Sequence, residues 1–325
     1  MIITRTPLRI SLGGGGTDLP WYYRKSGGGF LVAAAIDRHV YIAVNRNFDD
    51  DLMLKYSSME RVDSPARVEH PLLREALLVA GVHRAVEISS MADVPAGTGL
   101  GSSGAFTVGL LRALYSYRRH TISAGEVANL ACEIEMERLG APVGKQDPYI
   151  AAIGGVTAFS FRPDGEVDIQ PVAMADDVCN RLEDNLLLFY TGVRRSAAEE
   201  LSEHGGGPGG AADTRANLDA VKELGHASFD ALEKGDLGRF ARLMTEQWRR
   251  KYERSPSSVH GRVDEWIQRG LDAGADGGKL VGAGGGGFLL FYAEAKADLR
   301  ASMRDLGLEE VRFGFDYDGI TTLVS

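Results

Sequence analysis

The stretch Asp93-Val-Pro-Ala-Gly-Thr-Gly-Leu-Gly-Ser-Ser-Gly-Ala105 decides how the rest of the chain is read. Before it, Ala85–Ser89 reads as a β-strand. After it, Phe106, Val108, Leu110, Leu111 and Leu114 predict a long apolar helix over 103–118. Glycines between a strand and a helix let several N–H groups face one concavity. The helix adds the positive end of its dipole, so polyphosphate is favoured there. Ser102 and Ser103 add hydroxyls suited to phosphate or a metal ion. Gly99-Leu-Gly-Ser-Ser-Gly104 satisfies G-x-G-x-x-G, a pattern shared by several nucleotide sites. A dinucleotide site needs a carboxylate about 20 residues further on, and Tyr117–Ala124 offers none. A Walker loop needs Lys before the hydroxyl residue, and Gly101 stands there. A plain strand–helix turn is the competing reading of the loop alone.

Working outward, the chain of 325 residues is long enough for one large domain or two. With 44% hydrophobic and 25% charged residues it is an ordinary globular composition. A net charge of −9 argues against a nucleic-acid or anionic-membrane partner. It leaves room for a phosphorylated small molecule, which needs only a local positive pocket. No apolar run approaches a membrane span, and the first residues lack a signal-peptide pattern. Two cysteines, Cys132 and Cys179, fit a reducing cytoplasm, with Cys132 as a small core residue. The histidines show no metal-ligand spacing. Nothing in the chain speaks to its oligomeric state, monomer or homodimer.

Further strands are expected at 2–12, Phe30–Ile36, Val40–Val44, Val156–Phe161, Leu186–Tyr190, Phe288–Tyr292 and Thr321–Val324. Ser123-Ala-Gly-Glu126 has capping-box spacing and predicts a helix to about Leu139, stopped by Gly140 and Pro142. Helices are also expected at 214–234, 236–253, 259–273 and about 295–305. The segment Ser202–Asp213, which holds His204–Gly210 between polar flanks, reads as a mobile surface loop. Strands and helices intersperse without strict βαβ alternation, which favours α+β. Apolar density falls around 160–185, giving domains of 1–170 and 171–325.

With its flanks, Pro95-Ala-Gly-Thr-Gly-Leu-Gly-Ser-Ser-Gly-Ala105 resembles the P-x-x-x-G-L-G-S-S-A-A motif of the GHMP kinases, with Gly104 where Ala is usual. Pro7–Pro20 looks like that family's N-terminal substrate motif. Lys279-Leu-Val-Gly-Ala-Gly-Gly-Gly-Gly287 looks like its C-terminal glycine motif. Within the family, Arg9–Pro20, Gly144-Lys-Gln-Asp147, Tyr190-Thr-Gly-Val-Arg-Arg195 and Gln247-Trp248 with Lys251 look most like the D-glycero-D-manno-heptose 7-phosphate kinases. The resemblance implies a two-lobed α+β kinase: an N-terminal mixed α/β lobe with the phosphate loop, and a C-terminal lobe of helices and antiparallel sheet. It implies ATP and Mg2+, and transfer to the anomeric hydroxyl of a heptose 7-phosphate, giving a 1,7-bisphosphate. A fucokinase-like enzyme acting on a free sugar is the nearest alternative. A non-catalytic sugar or nucleotide sensor on the same fold is a further one.

Residue by residue, the resemblance points to Asp147 as general base, Arg9 as the cation opposite, and Lys145 as a second positive charge. Pro95, Gly97, Gly99, Leu100, Gly101, Ser102, Ser103 and Gly104 are expected to bind ATP. For the metal, Glu133 and Glu137 share one helix face, while Glu135 points the other way, towards the buried stripe. The family's metal-binding glutamate also maps to Glu135. Ser103 is its hydroxyl partner, with Ser102 close behind. The sugar is expected at Gly15, Gly16, Thr17 and Asp18, with a carboxylate well suited to vicinal hydroxyls. Arg194 and Arg195 are expected to take its phosphate, with Lys251 as a second candidate. Gly284 and Gly285 are expected to close the second lobe over the site.

Overall fold

The computed structural model describes residues 1–193, 210–254, 258–282 and 286–325, apart from the side chains of 210–212 and 258–260. Arg194, Arg195, Gly284, Gly285 and residues 202–209 of the expected loop lie outside the described residues, while residues 210–213 of that loop are helical.

The first sheet holds β1 (Ile2–Gly13), β2 (Gly29–Arg46), β3 (Leu52–Lys55), β4 (Met59–Val62), β5 (Val86–Ala92), β6 (Val156–Phe161) and β7 (Val167–Pro171). The second holds β8 (Leu186–Tyr190), β9 (Gly277–Leu280), β10 (Phe288–Tyr292) and β11 (Glu309–Glu310). The last strand, β12 (Thr321–Val324), returns to the first sheet. The first sheet runs β12-β1-β2-β5-β3-β4, with β6 also on β2 and β7 on β6. Among the described residues only β3 and β5 pair in parallel. The second sheet, β11-β8-β10-β9, is antiparallel throughout.

The helices are α1 (Pro20–Tyr23), α2 (Pro71–Ala80), α3 (Ser102–Tyr117), α4 (Ala124–Cys132), α5 (Gln146–Ile153), α6 (Asp176–Asn185), α7 (Gly210–Glu233), α8 (Leu237–Arg254), α9 (Ser258–Asp272) and α10 (Ala297–Asp305). Among the described residues no helix is long and apolar enough to cross a membrane. The α+β class, with a mixed sheet and a separate antiparallel one, is as expected.

Two expected strands, Phe30–Ile36 and Val40–Val44, are one strand of 18 residues. Pairing with β1 jumps from Pro7–His39 to Leu8–Ile36. The bulge absorbs polar Asp37 and Arg38 without ending the strand. The capping box forms as expected: the Ser123 hydroxyl accepts from Glu126 N, and Glu126 accepts from Ser123 N at 2.8 Å. The expected helix to Leu139 becomes a π-helix over Glu133–Arg138. β3, β4, β7, β9, β11, α1, α2, α5 and α6 were not expected. α6 buries only Leu182, so its sequence carries almost no apolar periodicity.

The expected division after residue 170 is crossed by the chain's end. Phe315 bridges to Ile36, and the buried Asp316 carboxylate meets His39 Nε2 at 2.8 Å. β12 then pairs with β1. The lobes also meet at the glycine motifs: a Cβ on Gly282 would stand 2.6 Å from the Gly99 Cα. Only glycine allows this backbone approach.

Candidate functional site

Arg9 leaves β1 pointing into a cleft of about 140 Å³ between the lobes. Its Nε donates to Asp147 Oδ1 at 2.7 Å and its Nη2 to Asp147 Oδ2 at 2.9 Å. This fork on a carboxylate fixes both groups in orientation. Asp147 was expected on a turn; it sits instead in the first turn of α5. Each carboxylate oxygen keeps a second acceptor position, so Asp147 can still receive a proton.

The same arginine pins the glycine loop. Arg9 N donates to Leu100 O at 3.0 Å, and Nη1 donates to Gly99 O at 2.5 Å. The Leu100 side chain is fully buried in the core. It anchors the loop from behind. Thr98 donates to Pro95 O at 3.0 Å and closes the preceding turn. α3 begins after Gly101 with no side-chain cap. Its first N–H groups therefore lack a side-chain partner at the end where the helix dipole favours an anion. Gly104 packs against α5: a Cβ there would lie 2.8 Å from both Asp147 Cβ and Pro148 N. The departure from Ala at this position lets the phosphate loop and Asp147 sit together.

Glu135 is the buried member of its glutamate trio, while Glu133 pairs outward with Arg138. The π-turn, a distortion that recurs at functional positions, presents it inward. Ser103 Oγ donates to Glu135 Oε2 at 2.8 Å. Among the described residues the other oxygen, Oε1, is buried without a hydrogen-bond partner. Burial pushes the Glu135 carboxyl up to about 7, opposed by the Ser103 bond and helped by the charge of Asp147. An orphaned carboxylate oxygen beside a serine hydroxyl and a phosphate loop fits a divalent cation completed by phosphate and water. Among the described residues no group of three His, Cys, Asp or Glu gathers, so a protein-only metal cage is not the pattern seen.

Asp18 lines the cleft, as do Gly15 and Gly16. Its Oδ2 accepts from Gln146 N at 3.0 Å and its Oδ1 from Gly16 N at 3.2 Å. Burial raises its pKa, opposed by these amides, with Asp147 adding to the rise. Thr17 does not face the cleft. It is fully buried, and its hydroxyl bonds Gly14 O at 2.9 Å and Phe30 O at 2.8 Å. It staples the loop that presents Asp18.

Lys145 also departs from expectation. Its ammonium donates to Gly165 O and lies 5.9 Å from the centre of the Tyr23 ring. The neighbouring positive charges are others. Lys279 is buried, donating to Leu12 O at 3.2 Å and Gln247 Oε1 at 3.5 Å. Burial, with Arg9 nearby, pulls its pKa down to about 7. Lys251 reaches Gly282 O, and Arg254 also lines the cleft. Sequence reasoning quoted Lys279 and Gln247 as motif residues without giving them a role, and missed Arg254. The signal was present in two forms: one Lys in a short apolar strand, and positions 247, 251 and 254 at helical spacing.

Comparison with known proteins agrees with this layout. The model of the GHMP kinases N terminal domain matches residues 68–155, and that of the GHMP kinases C terminal matches 228–307. Together they span just over half of the chain. A D-glycero-alpha-D-manno-heptose 7-phosphate kinase of Campylobacter jejuni is 28% identical over 305 residues, 90% of this chain and 89% of that one. A galactokinase of Thermococcus kodakarensis is 26% identical over 89% of this chain and 88% of its own. The crystal structure of a D-glycero-D-manno-heptose 1-phosphate kinase from Bacteroides thetaiotaomicron superposes with a TM-score of 0.80 at 25% identity, covering 100% of this chain and 99% of that one. With its loop, its two lobes and these matches, the chain belongs to the GHMP kinases and is an ATP-dependent kinase whose relatives include sugar kinases.

Proposed function

We propose that this kinase phosphorylates the anomeric C1 hydroxyl of a heptose 7-phosphate, giving a 1,7-bisphosphate and ADP. The observation that carries the chemistry is the Arg9–Asp147 fork, 2.7 and 2.9 Å, at the wall of a cleft shared with Asp18. The observation that favours a phosphorylated acceptor is the cleft's charge. Lys251, Arg254 and Lys279 line it beside Arg9, while both lining carboxylates already accept hydrogen bonds. Two relatives are named for phosphorylated heptoses, although the names place the existing phosphate differently.

In this reading the triphosphate lies along the glycine loop at the start of α3. Gly97, Gly99, Gly101 and Ser102 supply backbone donors, with Pro95 shaping the turn. Asp18 accepts from ring hydroxyls of the acceptor, with Gly15 and Gly16 beneath. Asp147 takes the C1 proton as that oxygen bonds the γ-phosphorus and the bond to the ADP oxygen breaks. An anomeric hydroxyl is more acidic than an ordinary alcohol, which suits a carboxylate base. Arg9 offsets charge on the transferring phosphoryl oxygens. Glu135 and Ser103 are the residues that would hold Mg2+, which when bound neutralises phosphate charge.

The test is turnover against heptose 7-phosphate, unphosphorylated heptose and galactose. A strong preference for the 7-phosphate is expected. Equal kcat/KM on a free sugar would move the function to a general sugar-1-kinase.

A further inference from the structure

We propose that Arg254, with Lys251 one turn before it, clamps the phosphate that the acceptor already carries; this rests on the sugar-phosphate reading above. α8 buries Leu237, Phe240, Ala241, Met244, Gln247 and Trp248. That stripe continues at helical spacing through 251 and 254, where an ordinary core helix would carry apolar residues. Here the positions are Lys and Arg, and both line the cleft. The arginines on the outer face behave differently: Arg249 and Arg250 pair with Glu246 at 3.8 and 3.2 Å.

Arg254 is set up for an anion that the protein does not supply. Among the described residues its one partner is a neutral amide, Asn217 Oδ1, at 3.2 Å from Nη1. Nη2 faces the first glycine loop, 3.9 Å from where a Cβ on Gly16 would stand. A guanidinium has five donors in a planar fork, which matches phosphate oxygens. Holding such a group half-buried without a carboxylate is unfavourable unless an anion arrives. Burial alone lowers its pKa, to about 10, so it stays charged at neutral pH.

The spacing along α8 agrees with a remote phosphate. Gln247 sits at the level of Leu12 and Lys279, close to Arg9. Arg254 lies seven residues further, about 10 Å along the axis. A sugar reacting at Asp147 would therefore reach Arg254 with its far end, past the ring.

The experiment compares wild type, Arg254→Met and Arg254→Lys on heptose 7-phosphate and on unphosphorylated heptose. Met keeps the stem's packing without the charge. Arg254→Met is expected to raise KM for the 7-phosphate about 10- to 100-fold at nearly unchanged kcat, the loss of one charge-assisted pair. Its kcat/KM on the free heptose should be unchanged, its Tm unchanged or higher, and Arg254→Lys should recover part of the affinity. Equal losses on both sugars, or a 7-phosphate preference that survives in Arg254→Met and disappears in Arg194→Ala/Arg195→Ala, would overturn the clamp. If wild type turns over no heptose phosphate, the function fails separately and the clamp is judged by thermal protection with inorganic phosphate at saturating ADP. Protection lost in Arg254→Met supports it; equal or absent protection overturns it.

Discussion

Gly104 on α3 and Asp147 on α5 are packed so closely that a Cβ at 104 would lie 2.8 Å from the Asp147 Cβ. The glycine is therefore a spacer between the phosphate loop and the proposed base. Gly104→Ala should push Asp147 or its helix aside. Displacement of about 1 Å can cost up to about 100-fold in rate. A fall in kcat of that order is expected, with stability lowered by about 1–3 kcal/mol from overpacking. Steady-state kinetics with thermal unfolding checks both. An unchanged kcat would mean that the contact relaxes without moving Asp147.

Arg9 and Asp147 should act as a unit. Asp147→Asn is expected to lower kcat by about 10²- to 10⁴-fold, the usual range for losing a general base. Adding Arg9→Met should cost far less than its own single effect, because the fork is already broken. The double-mutant cycle on kcat measures this. Additive losses would place the two residues in separate steps.

Much of this site was legible in the sequence, for identifiable reasons. Arg9, Asp18, Glu135 and Asp147 each stand beside glycine or proline punctuation, or on a helix face where a carboxylate has no bland use. Lys279 stood inside the glycine motif with no role given to it, and Gln247 and Arg254 were hidden because their helix, α8, is rich in cations. Arg249, Arg250, Lys251 and Arg254 look alike until the fold decides which face is inward. Thr17 was over-read. Its neighbours Gly16 and Asp18 line the cleft, whereas its own side chain is spent on holding the loop. The single β2 strand was illegible at Asp37-Arg38, since a bulge hides two polar residues that otherwise read as a turn.

Lys145 provides a control for that correction. Its ammonium is directed to Gly165 O and the Tyr23 ring. Lys145→Met should leave kcat within about threefold of wild type, with a stability loss of about 1 kcal/mol from the broken bond. A loss comparable to Asp147→Asn would return Lys145 to the catalytic machinery.

The Glu135 carboxyl offers a pH test of the proposed cation. Burial raises it from the ordinary 4.5 to about 7. A carboxyl raised on folding stabilises the protein in its protonated form, so that contribution fades as pH rises from 4.5 through about 7. Cation binding needs the ionised form, so stabilisation by Mg2+ should grow over the same window. The Tm gain from Mg2+ should be larger at about pH 8 than at about pH 6, and Glu135→Gln should abolish the difference. Because Asp18 is also raised, the informative quantity is wild type minus Glu135→Gln. A gain independent of Glu135 would move the cation elsewhere.

The most direct measurement is 31P NMR of the product formed from ATP and heptose 7-phosphate, with Asp147→Asn as control. The expected result is a second sugar phosphate coupled to the anomeric proton in wild type, with the 7-phosphate retained and almost no product from the variant. A new phosphate coupled to any other ring proton, or equal product from Asp147→Asn, would contradict phosphorylation at C1 with Asp147 as the base.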